Sequence, residues 1–351
     1  MAATLRNYLS ALDFNTKKSF FKILILTFFM VSCAEQEPFR IDFALGTVCT
    51  VTLYDQGQNR VYNDIFSRIY EIENLMSVNI PSSDISRINA VAGIMPVQVH
   101  EDTFKVIERA VYYAGLSGGA FDPTVGPLVS LWDIGGQNQR IPSQNEIEEA
   151  LPLVNWRNIE LNPSSRSVFL KRAGMALDLG SIAKGYAADE AVKVITKTGI
   201  KRALIDLGGN IVTFGIKKDR SPWRVGIQNP LSQRGAVIGY VQITQPLSTV
   251  VTSGVYERSF EENGIRYHHL FSPERGYPVQ NGLLSVTLIT DVSMDADALS
   301  TAVFVLGYER GMALLDSLPE TEAVFVFEDL SILTTPGANF TLIDGTFRPG
   351  I

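Results

Sequence analysis

Asp178-Leu179-Gly180-Ser181-Ile182-Ala183-Lys184-Gly185-Tyr186-Ala187-Ala188-Asp189 reads as a strand-like run that passes through a glycine into a helix. The helix is predicted over 181–198, because Ala188, Val192 and Ile195 recur at four and three residues on one face. Upstream, 41–54 reads as a strand, being largely β-branched or apolar with small breaks. Ile65, Ile69, Ile72 and Leu75 then mark an amphipathic helix, and a second follows over 102–116, stopped by Gly118-Gly119. Residues 142–152 read as a helix opened by Pro142 and Ser143, and 155–172 as a hairpin around Asn162-Pro163-Ser164. Downstream, strands are predicted over 203–215, 222–228, 236–244, 248–260, 265–271 and 283–290, then helices over 296–306 and 309–318, then strands over 322–346. Strands and helices interleave without a regular βα alternation, so the fold class is α+β, with mixed sheets and interleaved helices rather than one doubly wound parallel sheet.

The same segment carries chemistry. A helix N-terminus presents free N–H groups and positive dipole to an anion, and Lys184 stands close enough to meet a phosphate. An ordinary strand–helix turn with a solvated lysine explains the local residues equally well. A second segment is Asp295-Ala296-Asp297-Ala298-Leu299-Ser300-Thr301-Ala302, where Asp297 and Thr301 are four apart and share a helix face. A carboxylate and a hydroxyl together suit magnesium, although aspartate is also common as a plain helix-start residue.

Other classes fall away. The 351 residues are 46% hydrophobic and 19% charged, enough to bury a core. The net charge of -7 comes with no basic run, which argues against nucleic acid. Gly115-Leu116-Ser117-Gly118-Gly119 spells a nucleophile elbow, but a helix precedes it and a loop follows, the reverse of what that elbow needs. His100, His268 and His269 are the only histidines, and soft-metal chemistry is not supported.

The N-terminus reads as an export signal. Lys17, Lys18 and Lys22 precede an apolar run over 23–31, too short for a bilayer span and suited to a signal peptide. Met30-Val31-Ser32-Cys33 resembles a bacterial lipobox, which makes Cys33 the lipidated residue, with 1–33 as signal peptide and 34–40 as tether. The only other cysteine, Cys49, sits in an apolar run and reads as a small buried residue.

Several blocks in order then resemble one family, the ApbE FAD:protein FMN transferases, together with their FAD-pyrophosphatase relatives in spirochaetes. They are Leu45-Gly46-Thr47, Met76-Ser77, Ser83 to Asn89, Phe121-Asp122-Pro123-Thr124-Val125-Gly126-Pro127-Leu128, Asp178 to Asp189 and Asp206-Leu207-Gly208-Gly209-Asn210. Thr252-Ser253-Gly254 with Tyr256, His269 to Pro273, and Ala296-Asp297 to Thr301 complete them. The resemblance implies an ApbE-like, T-fold-like two-part architecture over 41–351. It implies magnesium on Asp297, Thr301 and the Ser181 carbonyl, with Ser300 close by. It implies an FAD site including Met76, Ala120, Phe121, Asp122, Asp178, Lys184 and Phe271, with the Gly208-Gly209-Asn210 turn near. Asp297 and Lys184 are the implied catalytic residues; His269 joins them as an aid to proton transfer, since a histidine ordinarily titrates near neutrality, and a histidine packed beside the hairpin explains it equally well. The implied reaction breaks the FAD pyrophosphate, places FMN on a threonine or serine of a partner and releases AMP. Hydrolysis to FMN and AMP, or flavin binding without turnover, are the alternatives. The implied partners are acceptor flavoprotein subunits of the redox-driven ion-pump type, and the implied location is a lipid anchor on the inner membrane facing the periplasm. The chain departs from the family pattern at Leu45, usually methionine, and at Ser272 and Arg275, usually aspartate and threonine.

Overall fold

β1 (Phe39–Ala44) and β2 (Thr47–Leu53) form an antiparallel hairpin where the sequence reads as a single strand. Leu45 and Gly46 turn the chain with φ of 54° and 68°, as a two-residue hairpin loop requires. Leu45 is itself apolar, so hydropathy gives no sign of the break. β1 also takes in Phe39 and Arg40, which shortens the expected tether by two residues. The computed structural model describes residues 39–55, 59–233 and 235–350; the signal segment, the lipobox with Cys33 and the rest of the tether lie outside the described residues.

The chain continues with α1 (Asn59–Met76), α2 (Asp84–Ala90), β3 (Val97–Gln98), α3 (Glu101–Leu116), α4 (Gly126–Trp132) and α5 (Gln144–Ala150). The predicted hairpin follows as β4 (Ile159–Asn162) and β5 (Ser167–Leu170), then α6 (Ala183–Thr196). The stretch 203–215 is a second hairpin, β6 (Ala203–Leu207) and β7 (Asn210–Phe214), turned by Gly208 and Gly209. After it come β8 (Trp223–Gln228), β9 (Val237–Ile243), β10 (Leu247–Gly254), β11 (Ser259–Glu262), β12 (Ile265–His268) and β13 (Leu283–Thr290). The last elements are α7 (Ser293–Leu306), α8 (Tyr308–Leu315), β14 (Glu322–Phe327), β15 (Ser331–Thr334), β16 (Phe340–Leu342) and β17 (Arg348–Pro349).

A nine-stranded sheet runs β1-β2-β6-β7-β10-β13-β14-β15-β17, antiparallel at every step except the parallel β15–β17 pair. Smaller sheets are β16-β9-β8, β3-β5-β4 and β11-β12. This is the expected α+β arrangement. The large core takes the predicted face of α1, with Ile65, Ile69 and Ile72 fully buried. A separate small core gathers Leu128, Trp132, Ile147, Val154 and Phe271 around α4 and α5. Cys49 is buried as expected, and burial pushes its thiol up to about 11, so it is unreactive.

α7 is buried on most of its circumference and packs on β10, β13 and α6. Its N-terminus has no side-chain cap of its own; Asp189 of α6 instead accepts from the Ser293 and Met294 N–H groups, at 2.9 Å each. Burial raises the Asp189 carboxyl to about 6. A pKa raised by folding adds stability that is complete below the unfolded value and lost as pH climbs through the folded one. Asp189→Ala is expected to cost about 1–2 kcal/mol for the lost cap. It should also flatten the decline in stability between roughly pH 4 and 6. Urea unfolding at several pH values checks both; an unchanged midpoint would show that Asp189 does not hold α7.

Candidate active site

A cavity of about 700 Å³ opens where α6 crosses α7, walled on its other sides by the β1–β2 turn, the end of α1, and the loops around 120–122 and 269–273. Its chemistry centres on Asp297. This carboxylate, 4% exposed, faces Lys184, whose Nζ lies 3.3 and 3.4 Å from its two oxygens. The Gly185 N–H donates to Asp297 Oδ2 at 3.0 Å, and Lys184 Nζ also donates to Gly180 O at 2.6 Å. The first anion met by the N-terminus of α6 is therefore the protein's own aspartate. Lys184 is the second residue of that helix, and the strand expected before it is only an isolated bridge between Ala176 and Val125.

The crossing depends on Gly185. A Cβ there would stand 2.2 Å from Ser293 O and 2.7 Å from Met294 Cα. Gly185 and Asp189 lie in the quoted block, but the sequence reading assigned them no role. Their spacing of four along one helix face was the available signal.

The other expected residues divide by what their polar atoms do. Asp178 Oδ1 accepts from Gly180 N–H at 2.7 Å, which shapes the turn into α6 beside Ser181. Asp122 lines the cavity too, but its oxygens are taken by the Thr124 N–H and hydroxyl, at 2.8 and 2.6 Å, and the Trp156 N–H at 3.0 Å. Burial raises its pKa. Its carboxylate organises the loop that presents Ala120 and Phe121. Met76 at the end of α1 and Phe271 supply apolar wall. Thr301 lines the cavity one turn beyond Asp297. Ser300 does not; its hydroxyl is buried, donating to Asp297 O at 3.0 Å and meeting Ser253 Oγ at 2.9 Å.

His269 lines the cavity, and its titration differs from the near-neutral expectation. Burial, helped by the Arg258 guanidinium, pushes its pKa down to about 3. Its Nδ1 lies 3.3 Å from Arg258 O, which can only accept, so Nδ1 carries the hydrogen and Nε2 keeps its lone pair. Imidazole NMR signals of His269 in the free protein are expected not to move between pH 5 and 8; a midpoint near 6.5 would contradict a neutral ring. His100 instead caps α3, accepting from Asp102 N–H, and His268 is buried against Val279 O with its pKa lowered to about 4. Ser117 caps the end of α3 and accepts from Phe121 N–H at 3.1 Å, so it is no nucleophile elbow. Ser272 accepts from Arg275 N–H at 3.2 Å, supplying the turn acceptor that an aspartate would supply there.

Among the described residues no three His, Cys, Asp or Glu side chains gather as a metal cluster. Asp297 with the Thr301 hydroxyl and a nearby backbone oxygen is nevertheless a hard oxygen donor set, and magnesium is typically held by one or two carboxylates plus waters and substrate phosphates. The donors present fit that ion.

The chain is similar to known proteins of one family. The model of the ApbE family matches residues 45–325. The FAD:protein FMN transferase of Treponema pallidum is 37% identical over 321 residues, spanning 86% of this chain and 88% of that protein. A Klebsiella pneumoniae protein of the same name is 37% identical over 289 residues, 82% of this chain and 89% of its own length. The crystal structure of the ApbE protein from Thermotoga maritima superposes with a TM-score of 0.78 at 35% identity, covering 85% of this chain and 96% of that one.

Proposed function

This chain belongs to the ApbE family, and we propose that it is a magnesium-dependent FAD:protein FMN transferase whose acceptor is a threonine or serine hydroxyl. The observation that carries the reading is the Lys184–Asp297 pair, set at the α6–α7 crossing in the wall of a cavity of about 700 Å³. That volume lies within the range of sites that enclose small-molecule ligands.

In this reading the acceptor hydroxyl attacks the phosphorus on the FMN side of FAD. The phosphoester bond forms, the pyrophosphate P–O bond breaks, and AMP leaves. Positioning and charge neutralisation do most of the work in such transfers. Lys184 meets negative charge on the phosphates from the end of α6. The neutral His269 ring offers its Nε2 lone pair to the hydroxyl proton. Met76, Phe121 and Phe271 give the apolar wall against which a flavin ring packs and from which water is excluded. Magnesium held by Asp297, Thr301 and the Ser181 carbonyl would supply Lewis-acid stabilisation of the phosphate oxygens.

We place the protein outside the cytoplasm, anchored by lipid on Cys33 to the membrane facing the periplasm. The basic and apolar order over 17–33 supports this. No helix among the described residues is long and apolar enough to cross a membrane. Acceptor subunits of the redox-driven ion-pump type fit that location.

The test is incubation of residues 34–351 with FAD and magnesium, with and without a serine- or threonine-bearing acceptor peptide, followed by chromatography. AMP with flavin on the peptide establishes transfer. AMP with free FMN and bare peptide makes the protein a hydrolase, and FAD recovered whole leaves only a binding protein.

A further inference from the structure

Among the described residues, Lys184 and Arg258 are the lysine and arginine side chains of the cavity wall, and only Lys184 is tied to a carboxylate. Lys184 is tied to Asp297 and to Gly180 O. Arg258 lies between β10 and β11, and its guanidinium makes no ion pair or hydrogen bond among the described residues. Its backbone, by contrast, is fixed. Arg258 O accepts from His269 N–H at 3.1 Å and meets His269 Nδ1 at 3.3 Å.

Gly46 leaves room for the head group, and Gly135 lies against the side-chain stem. A Cβ on Gly46 would stand 3.2 Å from Arg258 Nη2, and one on Gly135 would stand 3.9 Å from the side-chain stem. The Arg258 backbone oxygen meets the His269 ring, and Lys184, Arg258 and His269 all line the same cavity. With Lys184 already balanced by Asp297, an anion entering the cavity meets Arg258 as the cation that no carboxylate among the described residues pairs.

We propose that Arg258, whose backbone is fixed beside His269 in the cavity wall, binds the pyrophosphate of FAD. This rests on FAD being the donor substrate. A guanidinium is the side chain best matched to phosphate, because its planar fork donates two parallel hydrogen bonds. Arg258 brings to the site a cation that no internal carboxylate has to release.

The experiment compares wild type, Arg258→Met and Arg258→Lys for binding of FAD, ADP and riboflavin at low and high salt. Magnesium is left out so that FAD stays whole. Arg258→Met is expected to lose about ten- to a hundredfold in affinity for FAD and ADP, the range for a hydrogen-bonded charge. Its FAD affinity should depend less on salt, riboflavin affinity should be unchanged, and Arg258→Lys should recover part of the loss. An equal loss for riboflavin would overturn the proposal, pointing to stacking on the flavin ring or to a folding defect. Unchanged FAD affinity in Arg258→Met would overturn it as well. Wild-type protein that fails to bind FAD would instead sink the donor reading itself.

Discussion

Asp297→Asn is expected to lower FAD turnover by on the order of a thousandfold while leaving the fold in place. The carboxylate is buried between Lys184 Nζ and the Gly185 N–H, and it is the only carboxylate of α7 in the cavity wall. Asparagine keeps an oxygen for the Gly185 N–H and nearly the same volume, so α6 and α7 remain docked. What is lost is the negative charge that balances Lys184 and that would hold a divalent cation. Alanine would be a poorer probe, since it also opens a cavity at the helix crossing. Turnover is read as AMP released at saturating magnesium, with thermal unfolding as the control for folding. Activity near wild type at unchanged magnesium dependence would remove Asp297 from the metal assignment. Activity lost together with the fold would reassign the residue to stability.

The second large effect is structural in origin and functional in outcome. Gly185→Ala drives a methyl group to 2.2 Å from Ser293 O and 2.6 Å from Ser293 C. Those atoms are backbone at the start of α7, so no side-chain rotation relieves the clash. α6 and α7 must separate, at a cost of about 1–3 kcal/mol or more, the usual range for overpacking. Separation also lengthens the Gly185 N–H to Asp297 contact, now 3.0 Å, and weakens the Asp189 cap on α7. FAD turnover should therefore fall steeply even at temperatures where the variant is still folded. Gly199→Ala is the matched control, because a Cβ at Gly199 meets nothing within 4 Å. Equal denaturation midpoints for the two variants would show that the crossing is not close-packed at Gly185.

Much of this is legible in the sequence. The stripe Ile65, Ile69 and Ile72 placed α1, and Pro142-Ser143 announced α5, where Ser143 and Glu146 form a reciprocal cap. The residues that the family blocks single out gather in one cavity: Met76, Phe121, Asp178, Lys184, His269, Phe271, Asp297 and Thr301 all line it. Other features were misjudged for definable reasons. The hairpins of β1–β2 and β6–β7 read as single strands, because pairing partners and turn dihedrals leave little trace in hydropathy. Ser300 and Thr301 are adjacent hydroxyls with identical local promise. Only the packing of α7 on β10 turns Thr301 toward the cavity and leaves Ser300 fully buried, although both hydroxyls lie near Ser253 Oγ, at 3.4 and 2.9 Å.

The sequence by itself determined the element types, the α+β class, the family and the kinds of donor available to a phosphate or a hard cation. These follow from side-chain chemistry and from periods of two and near four residues, which are local properties of a chain. Tertiary structure alone decided how those donors act. Lys184 and Asp297 are 113 positions apart and meet because a glycine lets two helix backbones touch. His269 is held neutral, and Asp122 is spent on its own loop, because burial and neighbours set protonation and hydrogen bonding. Such effects depend on distances between residues remote in sequence, and the folded core is what fixes those distances.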